Sequence, residues 1–276
     1  MNRLSFDQLA VCSWSLKPES PQQLVAQLRE IPLARVQLAL DPLLDKPAWA
    51  EARGMFADAG VSVVSGMIET GAEDYSTPAS IRATGGLLPD APFERLLARA
   101  PRHADLLDAF GLDKVSFHAG FIPHIPNAPK RKIIKERLAA LAGVFAARGK
   151  LLLLETGQET ARTLAAFLDE VALPNVRVNF DPGNMLLYSM GDPVAALELL
   201  LPRIAQIHIK DAVPSGDIER WGVEQPAGEG SVDWERFFAV LAGADYAGDL
   251  VIERECGSAP IPEIARAAAF LGKFLG

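Results

Sequence analysis

Three observations on this 276-residue chain predict an α/β fold, a single (β/α)8 TIM barrel over residues 1–276. Eight apolar strand-like runs alternate with eight helix-period segments, connections from helix to strand are short, and four strands of the second half end on a carboxylate or imidazole. The strands are expected at Leu9 to Ser15, Ala34 to Leu40, Val61 to Met67, Lys114 to His118, Lys150 to Glu155, Val176 to Phe180, Ile204 to Lys210 and Asp249 to Glu253. The helices between them are expected at Pro21 to Ile31, Pro47 to Ala59, Phe93 to Phe110, Lys130 to Arg148, Thr160 to Val171, Pro193 to Leu201, Trp234 to Ala242 and Ile261 to Leu275. A hydrophobic content of 49% is ample for a large core, and no linker or low-complexity tract divides the chain.

Loop lengths distinguish the two ends of the barrel. Gly60, Gly111-Leu112-Asp113, Gly149 and Ala172 to Asn175 are tight helix-to-strand joints, with glycine placed where a helix end favours a left-handed residue. The strand-to-helix connections Ile68 to Pro92, Ala119 to Pro129 and Asp211 to Asp233 are long. All three fall on the face that carries the strand-end ligands, where barrel proteins build their sites.

A formal charge of -8 disfavours a protein that must track a phosphate backbone, so nucleic acid is not an expected partner. Met1 to Asp7 carries no apolar signal core, and no apolar run approaches the roughly 20 residues that span a bilayer. A cytoplasmic protein acting on a small molecule, without membrane contact, is expected, and a homo-oligomer is compatible with this. Cys12 and Cys256 lie near the first and last strands, neighbours in a closed sheet, and are expected as two buried reduced thiols.

The chemistry concentrates at the strand ends. Leu151 to Leu154 runs into Glu155, Val176 to Phe180 into Asp181, Ile204 to Ile207 into His208, and Leu250 to Ile252 into Glu253. Three carboxylates brought within about 4 Å repel by roughly 4 kcal/mol per pair at an effective dielectric near 20. Together that rivals a domain's whole stability margin, so a divalent cation or proton uptake must relieve it. Three oxygen ligands and one imidazole suit one divalent metal ion, Mn2+ favoured, with Mg2+, Co2+ and Zn2+ as further candidates. Without a thiolate the set does not resemble a structural zinc site.

Strand alternation sorts the neighbouring side chains. Gln206, His208 and Lys210 share one face, as do Asn179 with Asp181 and Ser116 with His118, while Val178, Phe180, Val115 and Phe117 face outward. His118, at the end of the fourth strand, and His124, in the loop after it, are candidate substrate contacts. His103 falls in a helix that reads as surface and is expected to be inert. An inward Lys210 beside the metal is placed to hold a substrate oxygen or a developing oxyanion, the plain alternative being an ion pair with Asp211.

Glu155-Thr156-Gly157, Asp181-Pro182-Gly183-Asn184, His208-Ile209-Lys210-Asp211 and Ile252-Glu253-Arg254-Glu255 resemble the metal-site signatures of the sugar phosphate isomerase/epimerase family, in the xylose isomerase-like TIM barrel superfamily. The resemblance runs from about Val11 to Ala265 and takes in Gly85-Gly86, His118-Ala119-Gly120 and Gly228 to Trp234. It implies that Glu155, Asp181, His208 and Glu253 bind one divalent metal, and that Glu155 and Glu253 act as paired acid and base on a small keto or aldo sugar, through a metal-held enediolate. A carbon acid beside a carbonyl needs an electrophile on the oxygen and a base near the proton, and this set supplies both. Asn184 stands where ketose epimerases of this group often carry histidine. Glu229, in the Gly228-Glu229-Gly230 turn, completes the substrate-binding candidates, although its charge would repel a phosphate. A metal-dependent lyase or dehydratase acting on a keto sugar or keto-polyol is the alternative, since it begins with the same deprotonation.

Overall fold

The structure, a computed structural model, describes residues 4–276. Its elements in chain order are β1 Leu9–Cys12, α1 Pro21–Leu28, β2 Arg35–Ala39, α2 Asp41–Asp45, α3 Ala52–Asp58, β3 Ser62–Met67, α4 Pro78–Thr84, α5 Asp90–Phe110, β4 Lys114–Phe117, α6 Pro129–Ala146 and β5 Leu151–Glu155. They continue with α7 Ala161–Val171, β6 Val176–Phe180, α8 Pro182–Leu187, α9 Pro193–Leu200, β7 Ile204–Ile209, β8 Asp211–Val213, β9 Val223–Gln225, α10 Trp234–Gly243, β10 Asp249–Ile252 and α11 Pro260–Leu271. Eight parallel strands close in the order β1-β10-β7-β6-β5-β4-β3-β2, with β8 and β9 forming a separate antiparallel hairpin. The expected (β/α)8 barrel is therefore the fold.

Strand alternation sets up two distinct interiors. Val11, Leu38, Val115, Phe117, Leu152, Leu154, Val178, Phe180, Ile207 and Ile209 point outward into the main core under the helices. Inside the barrel, a small apolar cluster of Ala10, Cys12, Val64 and Val251 shares the space with the buried polar side chains of Gln37, Ser116, Asn179, Gln206 and His208. Buried polar groups are tolerated where they bond one another. Here Gln37 Nε2 donates to Ser116 Oγ (2.7 Å) and Gln206 Nε2 to Asn179 Oδ1 (3.3 Å).

Where the elements differ from expectation, local chemistry explains the difference. The first strand stops at Cys12, because Ser13 to Leu16 turn in a 3-10 helix whose hydroxyls serve other strands. Ser13 Oγ accepts from Ala39 N (2.9 Å) and Ser15 Oγ from Arg254 N (2.9 Å). Short helix α4 interrupts the long connection after β3, and short helix α8 opens the connection between β6 and α9. Each begins with a capping side chain followed by proline, Thr77-Pro78 and Asp181-Pro182, and is too short for hydrophobic periodicity to reveal.

Two expectations require correction. His103 is fully buried rather than on the surface, with Nε2 3.1 Å from Asp41 Oδ1. It lies on the inward stripe of α5 with Leu96, Ala100 and Leu107, a helical spacing that overrides the polar character of the residue. Cys256 is exposed, whereas Cys12 is buried, and both are free thiols. The last strand ends at Ile252, so Cys256 sits in the loop above the barrel.

Asp211 organises the connection after β7. Its carboxylate accepts from Ala212 N (2.9 Å), Gly228 N (3.0 Å), Gly230 N (3.1 Å), Val232 N (3.1 Å) and Trp234 Nε1 (2.8 Å). A Cβ on Gly230 would lie 2.1 Å from Asp211 Oδ1, so the backbone can approach the carboxylate this closely only at glycine. Asp211→Asn turns an amide NH2 toward donors and is expected to cost about 3 kcal/mol of stability in urea unfolding. An unchanged midpoint would show that this carboxylate does not hold the loop.

Candidate metal centre

Four ligand atoms, one each from Glu155, Asp181, His208 and Glu253, lie within 4.8 Å of one another, and all four residues are buried. Neighbouring strands supply them. Glu155 closes β5 in register with Asn179 of β6, while Asp181 follows β6 as the N-cap of α8. His208 lies in β7 and Glu253 follows β10, with Glu253 N bonded to Ile209 O (3.1 Å). His208 Nδ1 is the hub, 3.4 Å from Glu155 Oε1, 3.6 Å from Asp181 Oδ2 and 3.3 Å from Glu253 Oε2. Gly183 makes the crossing possible, because a Cβ there would lie 2.7 Å from Lys210 Cγ.

Surrounding side chains orient these groups. Gln37 Oε1 lies 2.7 Å from His208 Nε2, and because an amide oxygen can only accept, it fixes a proton on Nε2 and leaves Nδ1 as the ring atom that faces the carboxylates. Asn184 Nδ2 donates to Glu155 Oε1 (2.9 Å) and Asn179 Nδ2 to Glu155 Oε2 (3.3 Å). Trp14 Nε1 donates to Glu253 Oε1 (2.6 Å) and Lys210 Nζ to Glu253 Oε2 (3.1 Å). Within the four-residue cluster, two buried atoms nevertheless lack any hydrogen-bond partner, Asp181 Oδ2 and His208 Nδ1, and they lie 3.6 Å apart. Orphaned, converging, hard donors of this kind fit a divalent cation. Cys12 Sγ lies 3.7 Å from His208 Nε2, on the other side of the ring, and burial pushes its thiol up, away from the ligating thiolate.

Protons compete for the same atoms. Burial raises the Asp181 carboxyl to about 7 against the opposing pull of His208 and Lys210. Burial opposes the charge on His208, but Glu155 and Glu253 raise it well above the ordinary imidazole value. For Glu253, burial is outweighed by Lys210 and His208, which hold its carboxyl well below the usual range. Because the Asp181 value is raised in the folded state, the metal-free protein loses stability as pH rises from the ordinary aspartate range to about 7. A bound cation must displace these protons, so Mn2+ affinity is expected to increase through about pH 7 with at least one proton released per ion. Calorimetry in buffers of different ionisation enthalpy counts that proton, and an affinity independent of pH across this range would contradict the assignment.

The candidate substrate contacts separate into two groups. His118 lines the cavity, its Nε2 4.0 Å from Glu155 Oε2, and Asn184 and Lys210 touch the carboxylates of Glu155 and Glu253 directly. His124 is exposed and bonded to Thr163 Oγ1 (2.7 Å), and Glu229 is exposed beside Arg266 (3.9 Å). Neither of these lines the cavity. Lys210 pairs with Glu253 and Glu255 rather than with Asp211. The cavity holds about 710 Å3 and is walled in part by Trp14, Met67, Tyr75, Leu187 and Trp221. Trp14 and Gln37 are the contributors that strand-end reasoning misses. The signal for Gln37 was a single polar residue inside the apolar run Val36-Gln37-Leu38.

The Xylose isomerase-like TIM barrel family matches residues 19–274. Inosose dehydratase of Bacillus thuringiensis (strain Al Hakam) is 29% identical over 112 residues, 36% of this chain and 37% of that protein. A protein of Escherichia coli (strain K12), SgbU, provisionally assigned as an L-ribulose-5-phosphate 3-epimerase, is 35% identical over 104 residues, 37% of this chain and 36% of its own. These similarities thus span little more than a third of the curated relatives. Among solved structures, the xylose isomerase domain protein from Planctomyces limnophilus superposes with a TM-score of 0.83 at 29% identity, covering 91% of this chain and 90% of that one.

Proposed function

The chain belongs to the xylose isomerase-like TIM barrel family, and from that premise we propose that it is a divalent-metal-dependent isomerase or epimerase of a small keto or aldo sugar. The observation that carries this reading is the pair of buried carboxylates, Glu155 (3.4 Å) and Glu253 (3.3 Å), that converge on His208 Nδ1 next to a cavity whose wall residues His118 and Trp14 reach them. Glu155, Asp181, His208 and Glu253 would hold the ion. When bound, it would supply Lewis-acid polarisation of the substrate carbonyl, with Mn2+ or Mg2+ suited to the donor set.

The chain's own residues do the rest. One glutamate takes the proton alpha to the carbonyl and the other returns a proton to the opposite face of the enediolate. Trp14 and Lys210 each hold one oxygen of Glu253, and Asn184 and Asn179 each hold one of Glu155, so neither carboxylate must reorient during the reaction. His118 stands between the cavity and Glu155, where it can exchange a proton with that carboxylate or contact a substrate hydroxyl. The connections after β3 and β7 meet at the rim through Arg82 and Glu219 (3.4 Å) and serve to cover the substrate.

A dehydratase on a keto-polyol is the second reading, favoured by the similarity to inosose dehydratase. Elemental analysis of the purified protein, followed by turnover against a panel of ketoses and inososes, tests both. One divalent ion per chain and a stereoisomeric or isomeric product support the first reading. Loss of water to an unsaturated or deoxy-keto product supports the second.

A further inference from the structure

Resting on that reading and narrowing it, we propose that the substrate is an uncharged polyhydroxylated ketone rather than a phosphate ester or a sugar acid. Above the ligand cluster the cavity is walled by four acidic residues, Glu69, Glu73, Glu224 and Glu255, and, among the described residues, by no lysine or arginine. The nearby cations are engaged by protein carboxylates. Lys210 is paired with Glu253 and Glu255, Arg254 lies between Glu224 (2.6 Å) and Glu263 (2.7 Å), and Arg82 reaches Glu219 while covering the Phe121 ring. His118 is the one basic residue left in the wall, and it faces Glu155.

Backbone amides offer an anion no better reception. Phosphates and carboxylates are commonly held by successive N–H groups in a loop or at a helix start. In two such arrays at this end of the barrel the chain supplies its own carboxylate. Gly228, Gly230 and Val232 donate to Asp211, and Glu255 and Cys256 donate to Glu224 (3.1 and 3.0 Å). The N–H of Asn184 is likewise taken by Asp181 (2.8 Å). An entering phosphate would therefore meet the carboxylates of Glu69 and Glu73, which have no cationic partner among the described residues, while the lysine and arginine near the wall and both amide arrays are already occupied. Neutral hydroxyls, by contrast, are donors that carboxylates accept, and Trp14, Tyr75 and Trp221 present apolar faces for the C–H side of a sugar or cyclitol ring. The unpartnered Asp181 Oδ2 and His208 Nδ1 below mark where the carbonyl end belongs.

The test uses the Mn2+-loaded full chain and matched probes, L-ribulose with its 5-phosphate and D-tagatose with its 6-phosphate, read by calorimetry and by exchange of the alpha proton with deuterium oxide. Each neutral sugar is expected to bind at least about 10-fold more tightly than its ester, and any sugar that exchanges should do so with kcat/KM at least about 100-fold above that of its ester. Glu69→Lys should narrow that gap through KM, by at least about 5-fold, since it places a cation on the wall. Tighter binding or faster exchange of either ester overturns the inference and leaves the isomerase or epimerase reading standing. Preferred binding of the neutral members without exchange on any of them upholds the substrate class and overturns that reading. If no probe binds, the substrate class is overturned as well.

Discussion

Glu155→Gln and Glu253→Gln are each expected to reduce turnover by at least about 100-fold, the usual consequence of losing a general acid or base. Both substitutions preserve shape and leave one amide oxygen able to ligate, so bound metal should fall less than turnover. The surroundings make the two variants unequal. Glu253 Oε2 accepts from Lys210, and Oε1 from Trp14. A glutamine there must point its NH2 at one of these donors, so Glu253→Gln should also show a loss of thermal stability. Glu155 is flanked by the amides of Asn184 and Asn179, and by His118 at 4.0 Å, so its NH2 meets similar conflicts with weaker donors. Turnover and metal content measured on the same preparations separate the two effects. Full turnover in either variant would remove that glutamate from the acid-base pair.

Asp181→Asn and His208→Ala are expected to lower metal affinity by more than the roughly 10- to 100-fold typical of disturbing a residue behind a ligand. The reason is local, because Asp181 Oδ2 and His208 Nδ1 are the two cluster atoms that no protein group satisfies. Asp181→Asn keeps the contact of Oδ1 with Asn184 N that caps α8, so its fold should persist with the metal lost. His208→Ala also removes the imidazole that faces Gln37 Oε1 and opens a hole beside Trp14, whose ring centroid is 6.0 Å from that of His208. A lower melting temperature is therefore expected for this variant alone. Elemental analysis after dialysis against buffer free of chelator checks both, and full occupancy in either variant would place the ion elsewhere.

Much of this arrangement was legible in the sequence, for reasons that also mark the limit of legibility. Strand alternation is a covalent property of the chain, so Gln206-Ile207-His208-Ile209-Lys210 alone sorts inward polar from outward apolar groups, as the structure has them. Residues at or just beyond the carboxyl ends of buried strands converge at one end of a barrel, which is why Glu155, Asp181, His208 and Glu253 meet. Trp14 escaped because Ser13 and Ser15 end the first strand early through bonds to residues far along the chain, Ala39 and Arg254. The cavity wall from Glu69 to Tyr75 escaped for a related reason. Its shape depends on hydrogen bonds such as Glu69 N to Asp41 Oδ2 (2.9 Å), which carry no periodic signal. His103 shows the same limit, since its helix read as surface while its place in the 96-100-103-107 stripe set its burial.

In the proposed reaction a divalent ion held by these four residues is required for removal of a proton alpha to a carbonyl. Exchange of that proton with deuterium oxide, followed by NMR on a ketose that the protein turns over, tests it most directly when the same preparation is measured as purified, after chelation and dialysis, and after Mn2+ is restored. Exchange is expected in the first sample, a loss of at least about 100-fold in the second and recovery in the third. Exchange that continues undiminished in the chelated protein, with elemental analysis showing no ion, would contradict it.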